Sequence, residues 1–99
     1  MNTLNILGLS YSIERVPCVC RDEYKLGQID FIEQKILIDE AISQEKERVV
    51  LLHEMLHGIL EGLGYNENCF DETLVQGLAT ALNQCINDNQ WLRGDEKIA

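Results

Sequence analysis

The alternation of apolar and polar residues divides the chain into a strand-forming first part and a helix-forming second part. Every second residue from 7 to 13 is apolar, which predicts a half-buried strand. A second strand is predicted for residues 27–32 and a third for residues 35–39, with a short polar turn between them. Two apolar runs this close together favour a hairpin, so we expect a small three-stranded, mainly antiparallel sheet.

Two helices follow, and each has a local start signal. Ser43 is a suitable N-cap for a first helix that ends near Leu63, and its apolar residues cover most of its circumference. This helix should therefore be packed on several sides. Asp71 can cap a second helix that runs to about Asn89. The apolar stripe of the second helix, which we expect to be buried against the first, comprises Leu74, Val75, Leu78, Leu82, Cys85 and Ile86.

This order of elements predicts one α+β domain in which the sheet packs on two long helices. With 99 residues, the chain has room for one hydrophobic core and little more. We assign residues 1–92 to the domain, with Trp91 and Leu92 folded back onto it. Residues 93–99 are expected to form a flexible tail.

The first helix contains the chain's clearest chemical motif, because His53, Glu54 and His57 form the pattern H-E-x-x-H. Residues four apart in an α-helix lie one turn apart on one face, so both imidazoles can reach one metal ion. Zn²⁺ suits these donors, and this pattern is the signature of the zincin metallopeptidases. Glu54 would lie beside the metal, where its carboxylate can take a proton from water as a general base.

A zinc site needs a further ligand, and the chain has no third histidine. A carboxylate, a thiolate or solvent must complete the coordination. Glu61 would lie roughly 12 Å along the helix from His53, too far to share its metal. Glu67 lies in a loop and could reach the site, whereas Asp71 is better used as a cap. Glu72 is the best candidate, because it opens the second helix on the packed face.

The segments 51–60 and 71–79 resemble the gluzincins of the ImmA/IrrE type, and more closely the single-domain minigluzincins often found in phages and prophages. The resemblance extends to the preceding strands and so covers most of the chain. It implies a minimal zincin fold of three strands on two helices. It also implies zinc ligation by His53, His57 and Glu72, with Glu54 as the catalytic base.

Two features depart from the family pattern. Gln76 stands where larger members often carry Asn four residues after the ligand Glu, which leaves open whether it contacts a ligand histidine. Gluzincin peptidases also use an extra His, Tyr or Arg to stabilise the oxyanion. The candidates for that role by residue type are Tyr11, Tyr24 and Tyr65.

The leading functional prediction is a zinc-dependent endopeptidase that binds an extended peptide along an edge strand around residues 36–38. The resemblance implies a regulatory protein of a phage or mobile element as the substrate. One alternative is a catalytically latent, zinc-stabilised protein-interaction module. Another is a structural domain without metal.

The charge and the cysteine content limit the expected binding partners and cellular location. A formal net charge of −9 argues against direct nucleic-acid binding, which needs a basic face. We find no basic leader and no membrane-spanning stretch, so we expect a cytoplasmic protein with four reduced cysteines. Cys18 and Cys20 form a C-x-C pattern that is only weakly suggestive of metal binding. Cys85 is expected to be a core thiol, and Cys69 is left without a role.

Overall fold

One mixed β-sheet and two long helices make up the computed structural model, which describes residues 2–65 and 71–94. The predicted α+β class is confirmed. None of the helices in these ranges is long and apolar enough to cross a membrane. In chain order the elements are β1 (Thr3–Ile6), β2 (Leu9–Val16), β3 (Gly27–Asp30), β4 (Lys35–Asp39), α1 (Gln44–Gly62), α2 (Glu72–Asp88) and a short 3-10 helix (Gln90–Arg93).

The sheet has four strands, because the predicted strand at 7–13 is the second half of a hairpin. β1 and β2 pair antiparallel, and the two residues between them, Leu7 and Gly8, have φ angles of +49° and +86°. Positive φ at both central residues is the geometry of tight two-residue hairpin turns. Leu7 continues the apolar alternation and is not a residue type that favours turns. The sequence pattern therefore did not predict the turn.

β4 lies inside the sheet, so the prediction of a peptide-binding edge at residues 36–38 is wrong. The strand order is β1-β2-β4-β3, with β2 and β4 parallel and β3 and β4 antiparallel. Ile36 and Ile38 are fully buried in the core. Strand order depends on pairing between segments distant in sequence, which local periodicity does not encode. The edge strands are β1 and β3.

The turn between β3 and β4 begins earlier than predicted. Asp30 ends β3, and its carboxylate accepts hydrogen bonds from the backbone N–H groups of Ile32 and Glu33, at 3.0 and 2.9 Å. This is the self-capped turn that Asp favours. Ile32, which we had placed in the strand, is almost fully exposed as a result.

The core lies between the sheet and α1. Two glycines allow the helix and the sheet to approach closely. A Cβ atom at Gly58 would lie 2.8 Å from Ile6 Cδ1, and one at Gly27 would lie 2.5 Å from Val50 Cγ1. α1 therefore rests directly on the sheet, with β3 beside its first half. The buried hydrophobic cluster consists of Ile6, Tyr11, Ile13, Ile36, Ile38, Val50 and Leu51.

Both helices begin where the sequence predicts. The Ser43 hydroxyl accepts a hydrogen bond from the Lys46 N–H at 3.1 Å, and the Asp71 carboxylate accepts one from the Thr73 N–H at 2.8 Å. These contacts satisfy backbone donors that the first turn leaves unpaired. α1 ends at the C-cap Leu63, followed by Gly64 with a φ of +96°, and α2 ends at the C-cap Asn89.

The leucine stripe of α2 is not buried, contrary to the prediction. Leu74, Leu78 and Leu82 are 58%, 44% and 39% exposed, whereas Val75 and Ala79 are buried. In the described ranges α2 packs mainly on α1 and on the 3-10 helix. Val75 and Ala79 lie on the buried face of α2, and the three leucines lie next to that face, where they are partly exposed.

The end of the described chain is held by hydrogen bonds. The Arg93 guanidinium donates to the backbone carbonyls of Ile86 and Asn87, so Arg93, which we had placed in a flexible tail, is the last residue of the 3-10 helix. Trp91 and Leu92 belong to the same helix and are about half exposed. Residues 95–99 lie outside the described part.

The described cysteines, Cys18, Cys20 and Cys85, are free thiols. Cys85, which we expected in the core, is half-buried, and Cys18 is exposed. Cys69 lies outside the described residues.

Candidate metal centre

The two histidines of H-E-x-x-H face a common point between α1 and α2. Their Nε2 atoms lie 3.1 Å apart, and the ring centroids are separated by 4.8 Å with an interplanar angle of 59°. Both side chains are largely buried. The one-turn spacing on α1 therefore brings the two nitrogen atoms together as the sequence pattern predicts.

Glu72 places its carboxylate at the same point. Its Oε1 lies 2.7 Å from His57 Nε2, and its Oε2 lies 3.1 Å from His53 Nε2. Two local features set this position. Asp71 caps α2 and fixes where the helix begins, and burial of Val75 three residues later turns the Glu72 face toward α1. The candidate ligand atoms of this triad all lie within 4.8 Å of one another, so the triad could hold a metal ion.

The hydrogen bonding around His53 is compatible with Nε2 acting as a metal ligand. Gln76 Oε1 lies 2.8 Å from His53 Nδ1 and can only accept, so Nδ1 carries the proton and, in the neutral ring, Nε2 bears a lone pair. The amide orientation is supported by the Gln76 Nε2 donor, which lies 3.4 Å from Thr80 Oγ1. A lone pair on His53 Nε2 thus faces the carboxylate of Glu72, and a cation between them removes the repulsion.

The donor spacing can be compared with that of a tetrahedral metal site. Two ligands of a tetrahedral Zn²⁺, each about 2.1 Å from the ion, lie about 3.4 Å apart. The distances within the triad, 2.7 to 3.1 Å, are shorter by a few tenths of an ångström, so small side-chain shifts would allow the triad to hold an ion. Gln76 contributes by orienting His53, which answers the question left open by the departure from the family pattern.

Glu54 is the buried acid of the site, with 7% of its surface exposed. Its carboxylate accepts a hydrogen bond from the Ile29 backbone N–H of β3, which ties the motif helix to the edge strand. Burial is the main cause that raises the pKa of Glu54 to about 7; the charge of Glu72 raises it further, whereas His53, Lys25 and the Ile29 hydrogen bond oppose the rise. A carboxyl group with a pKa near neutrality can both accept and release a proton at physiological pH.

The triad and Glu54 line a single open cleft of about 720 Å³. β3 and the segment before it form one wall of the cleft, and α1 and the first turns of α2 form the rest. A cleft bounded by an edge strand can accept an extended chain as an additional strand.

Among the three predicted oxyanion candidates, Tyr24 lines the cleft and is almost fully exposed. Tyr11 is buried in the core, where burial and the nearby Glu61 raise the pKa of its phenol. Tyr65 follows the end of α1 and is about half exposed, outside the cleft lining. Burial of Tyr11 could have been anticipated from the strand alternation, since it lies in phase with Ile13.

The other acidic candidates lie elsewhere or outside the described residues. Glu61 is exposed near the end of α1, as its distance along the helix predicts, and Asp71 serves as the α2 cap. Glu67 lies outside the described ranges. Sequence reasoning did not single out Lys25 and Lys46, which also line the cleft; their convergence depends on how β3 packs beside α1.

Known family models, curated proteins and solved structures yield no match to this chain. The interpretation of the site therefore depends on its own residues and their geometry.

Proposed function

We propose that this protein is a zinc-dependent metalloendopeptidase of the gluzincin type. The observation that carries the proposal is the convergence of the His53, His57 and Glu72 donor atoms in a cleft that also contains Glu54. Two imidazoles and one carboxylate are the ligand set of catalytic zinc sites that keep a position open for water or substrate. The H-E-x-x-H motif and the resemblance to minigluzincins support the same assignment.

Under this proposal each residue of the site has a separate role in peptide hydrolysis. His53, His57 and Glu72 hold Zn²⁺, which when bound supplies Lewis-acid polarisation of water and of a peptide carbonyl. Glu54 takes a proton from the attacking water on its carboxylate and delivers that proton to the leaving amine nitrogen. Gln76 keeps the His53 ring in the tautomer that presents Nε2 to the metal.

The substrate is proposed to be an extended peptide paired with β3. This strand is at the sheet edge and lines the cleft beside the motif helix. Backbone pairing at a sheet edge gives affinity that is independent of side chains, which suits a peptidase. From the resemblance to minigluzincins, we also propose that the natural substrate is a regulatory protein of a phage or mobile element. Its cleavage would take place in the cytoplasm.

One observation favours a second candidate, a catalytically latent module in which zinc mainly stabilises the fold. α2 buries only Val75 and Ala79 among its described residues, and Glu72 links the start of this helix to both histidines of α1. In this case the metal would hold α2 in place for binding a protein partner.

Substitution of Glu54 by Gln separates the two candidates. The zinc-loaded protein is incubated with a library of synthetic peptides, and the products are identified by mass spectrometry. The wild type should cleave a subset of peptides, and Glu54→Gln should reduce the rate by about 10² to 10⁴ fold with zinc content unchanged, because only the proton transfer is lost. Glu61→Gln, an exposed change on the same helix, is the matched control and should retain the rate.

Cleavage that persists in Glu54→Gln would contradict the proposed mechanism. A wild-type protein that binds zinc stoichiometrically and cleaves no peptide in the library would instead favour the latent module.

A further inference from the structure

One end of the cleft is formed by two lysines that the proposed chemistry does not use. Lys25 lies two residues before β3, and Lys46 lies in the first turn of α1. Both line the cleft. The start of β3 lies against the first half of α1, because a Cβ atom at Gly27 would contact Val50 and lie 3.4 Å from Glu54 Cγ. The two lysines are therefore at the same end of the cleft.

The charges around this end favour an anionic ligand. The chain has 8 basic and 17 acidic residues, so two cations at one end of a cleft stand out against the chain's net charge. The described acidic residues that line the cleft are Glu54 and Glu72, and both are engaged by the proposed chemistry. Within the described ranges, Lys46 forms no ion pair, while Lys25 is 3.1 Å from the exposed Glu23.

We propose that Lys25 and Lys46 form a subsite that binds a carboxylate of the peptide substrate. This inference rests on the proposed peptidase function and names its substrate class: peptides with an acidic side chain, or a free C-terminus, near the cleaved bond. A strand paired with β3 passes this end of the cleft, which brings its carboxylate within reach of both long, flexible lysine side chains. Complementary charge at a rim position acts mainly on specificity and association rate.

The test uses pairs of synthetic decapeptides with amidated C-termini that differ by Glu or Gln at one position. A second pair of peptides without acidic side chains, one with a free and one with an amidated C-terminus, tests whether the subsite binds the C-terminal carboxylate instead. The zinc-loaded wild type should prefer the acidic member of a pair by about fivefold in kcat/KM, the size expected for a partly exposed ion pair. The preference should shrink at 0.5 M NaCl.

Lysine variants then locate the subsite. Lys46→Gln and Lys25→Gln should each reduce the preference, measured as the ratio of kcat/KM for the Glu and Gln peptides, and Lys46→Glu should reverse it in favour of a Lys-containing peptide. Lys35→Gln is the matched control, because Lys35 is paired with Glu33 at the start of β4 and does not line the cleft. An equal loss of preference in the control would overturn the subsite.

Binding to the Glu54→Gln variant separates this proposal from the peptidase itself. Fluorescence anisotropy with labelled Glu and Gln peptides reports affinity in the absence of cleavage. Cleavage without any acidic preference would overturn the subsite and leave the peptidase standing. Tighter binding of the acidic peptide, lost in Lys46→Gln, by a protein whose wild type cleaves nothing would support the subsite and overturn the peptidase.

Discussion

α1 and α2 both supply the candidate metal site, but they are held by different means. α1 lies directly on the sheet, with Val50 and Leu51 buried in the core and Gly58 allowing close contact with β1. α2 contributes Glu72 and Gln76 while burying only Val75 and Ala79 among its described residues. The histidines and Glu54 are thus positioned by the core, whereas Glu72 is positioned by a helix that packs mainly on α1 and the 3-10 helix.

This difference implies that the metal would act as a structural link as well as a cofactor. The two histidines and Glu54 are positioned by the packing of α1 and need no ion for this. Glu72 lies on a different helix and must be brought to them. Binding free energy that joins a peripheral element to a core appears as stability of that element. We therefore expect perturbations of the sheet and α1 to affect global stability, and perturbations of the metal to affect α2 first.

The largest expected effect comes from the core. Ile38→Ala should lower the free energy of unfolding by about 3 to 4 kcal/mol, because it leaves a cavity under α1. Leu78→Ala, at an exposed position of α2, should cost less than about 1 kcal/mol. Urea denaturation followed by circular dichroism measures both. Similar costs for the two changes would contradict the contrast between the core under α1 and the exposed face of α2.

The buried Glu54 gives the metal-free protein a pH-dependent stability. The folded-state pKa of about 7 lies above the ordinary value of 4.5, so the folded state binds a proton that the unfolded state lacks between these values. Stability should therefore fall as the pH rises from 4.5 toward 7 and stay lower above that. At pH 8 the full penalty is on the order of 3 kcal/mol.

Glu54→Gln removes this penalty, since its amide stays neutral. In chelator-treated protein the variant should be more stable than wild type at pH 8, and the gap should close toward pH 4.5. Thermal unfolding across this pH range, with Glu61→Gln as the exposed control, measures the difference. A gap that is the same at both ends of the range would count against a buried carboxylate.

Removal of metal should loosen α2 more than α1. With free zinc at 100 times its dissociation constant, binding to the folded state contributes about 2.7 kcal/mol, which a chelator removes. Hydrogen exchange should then accelerate mainly in amides of α2, while those of β4 keep their protection. Uniform acceleration along the chain would show that the two helices depend equally on the ion.

The smallest effect concerns the orientation of His53. Gln76→Ala removes the acceptor for Nδ1–H and should weaken zinc affinity about tenfold, because partners that orient metal ligands have effects of this size. Gln84→Ala, two turns along the same helix face and hydrogen-bonded to Asp88, is the matched control. Competition with a zinc chelator of known affinity measures both variants. Equal affinity in Gln76→Ala and wild type would show that the contact does not orient the ligand.

Local signals explain what the sequence predicted well. The caps Ser43 and Asp71 and the four-residue histidine spacing depend on neighbours within one or two turns, so the helix bounds and the paired imidazoles followed from the chain alone. The choice of Glu72 also depended on short-range reasoning, from the cap and from the packed position of Val75. The structure places Glu72 beside both histidines.

Long-range packing explains what the sequence did not predict. The Leu7-Gly8 turn continued an apolar alternation, and the interior position of β4 depends on its pairing with β2, a distant segment. The exposed face of α2 depends on the absence of a further layer beyond it in the described residues. The lysines at the end of the cleft belong to two elements whose proximity follows from the packing of Gly27 on Val50.

X-ray absorption spectroscopy of the zinc-loaded protein tests the central claim most directly. The account predicts one zinc per chain bound by nitrogen and oxygen donors, with two imidazoles in the spectrum, and a loss of zinc in both His57→Ala and Glu72→Ala. Sulfur ligands near 2.3 Å would instead assign the metal to cysteines. That result, or zinc retained at full occupancy without Glu72, would contradict a site made of His53, His57 and Glu72.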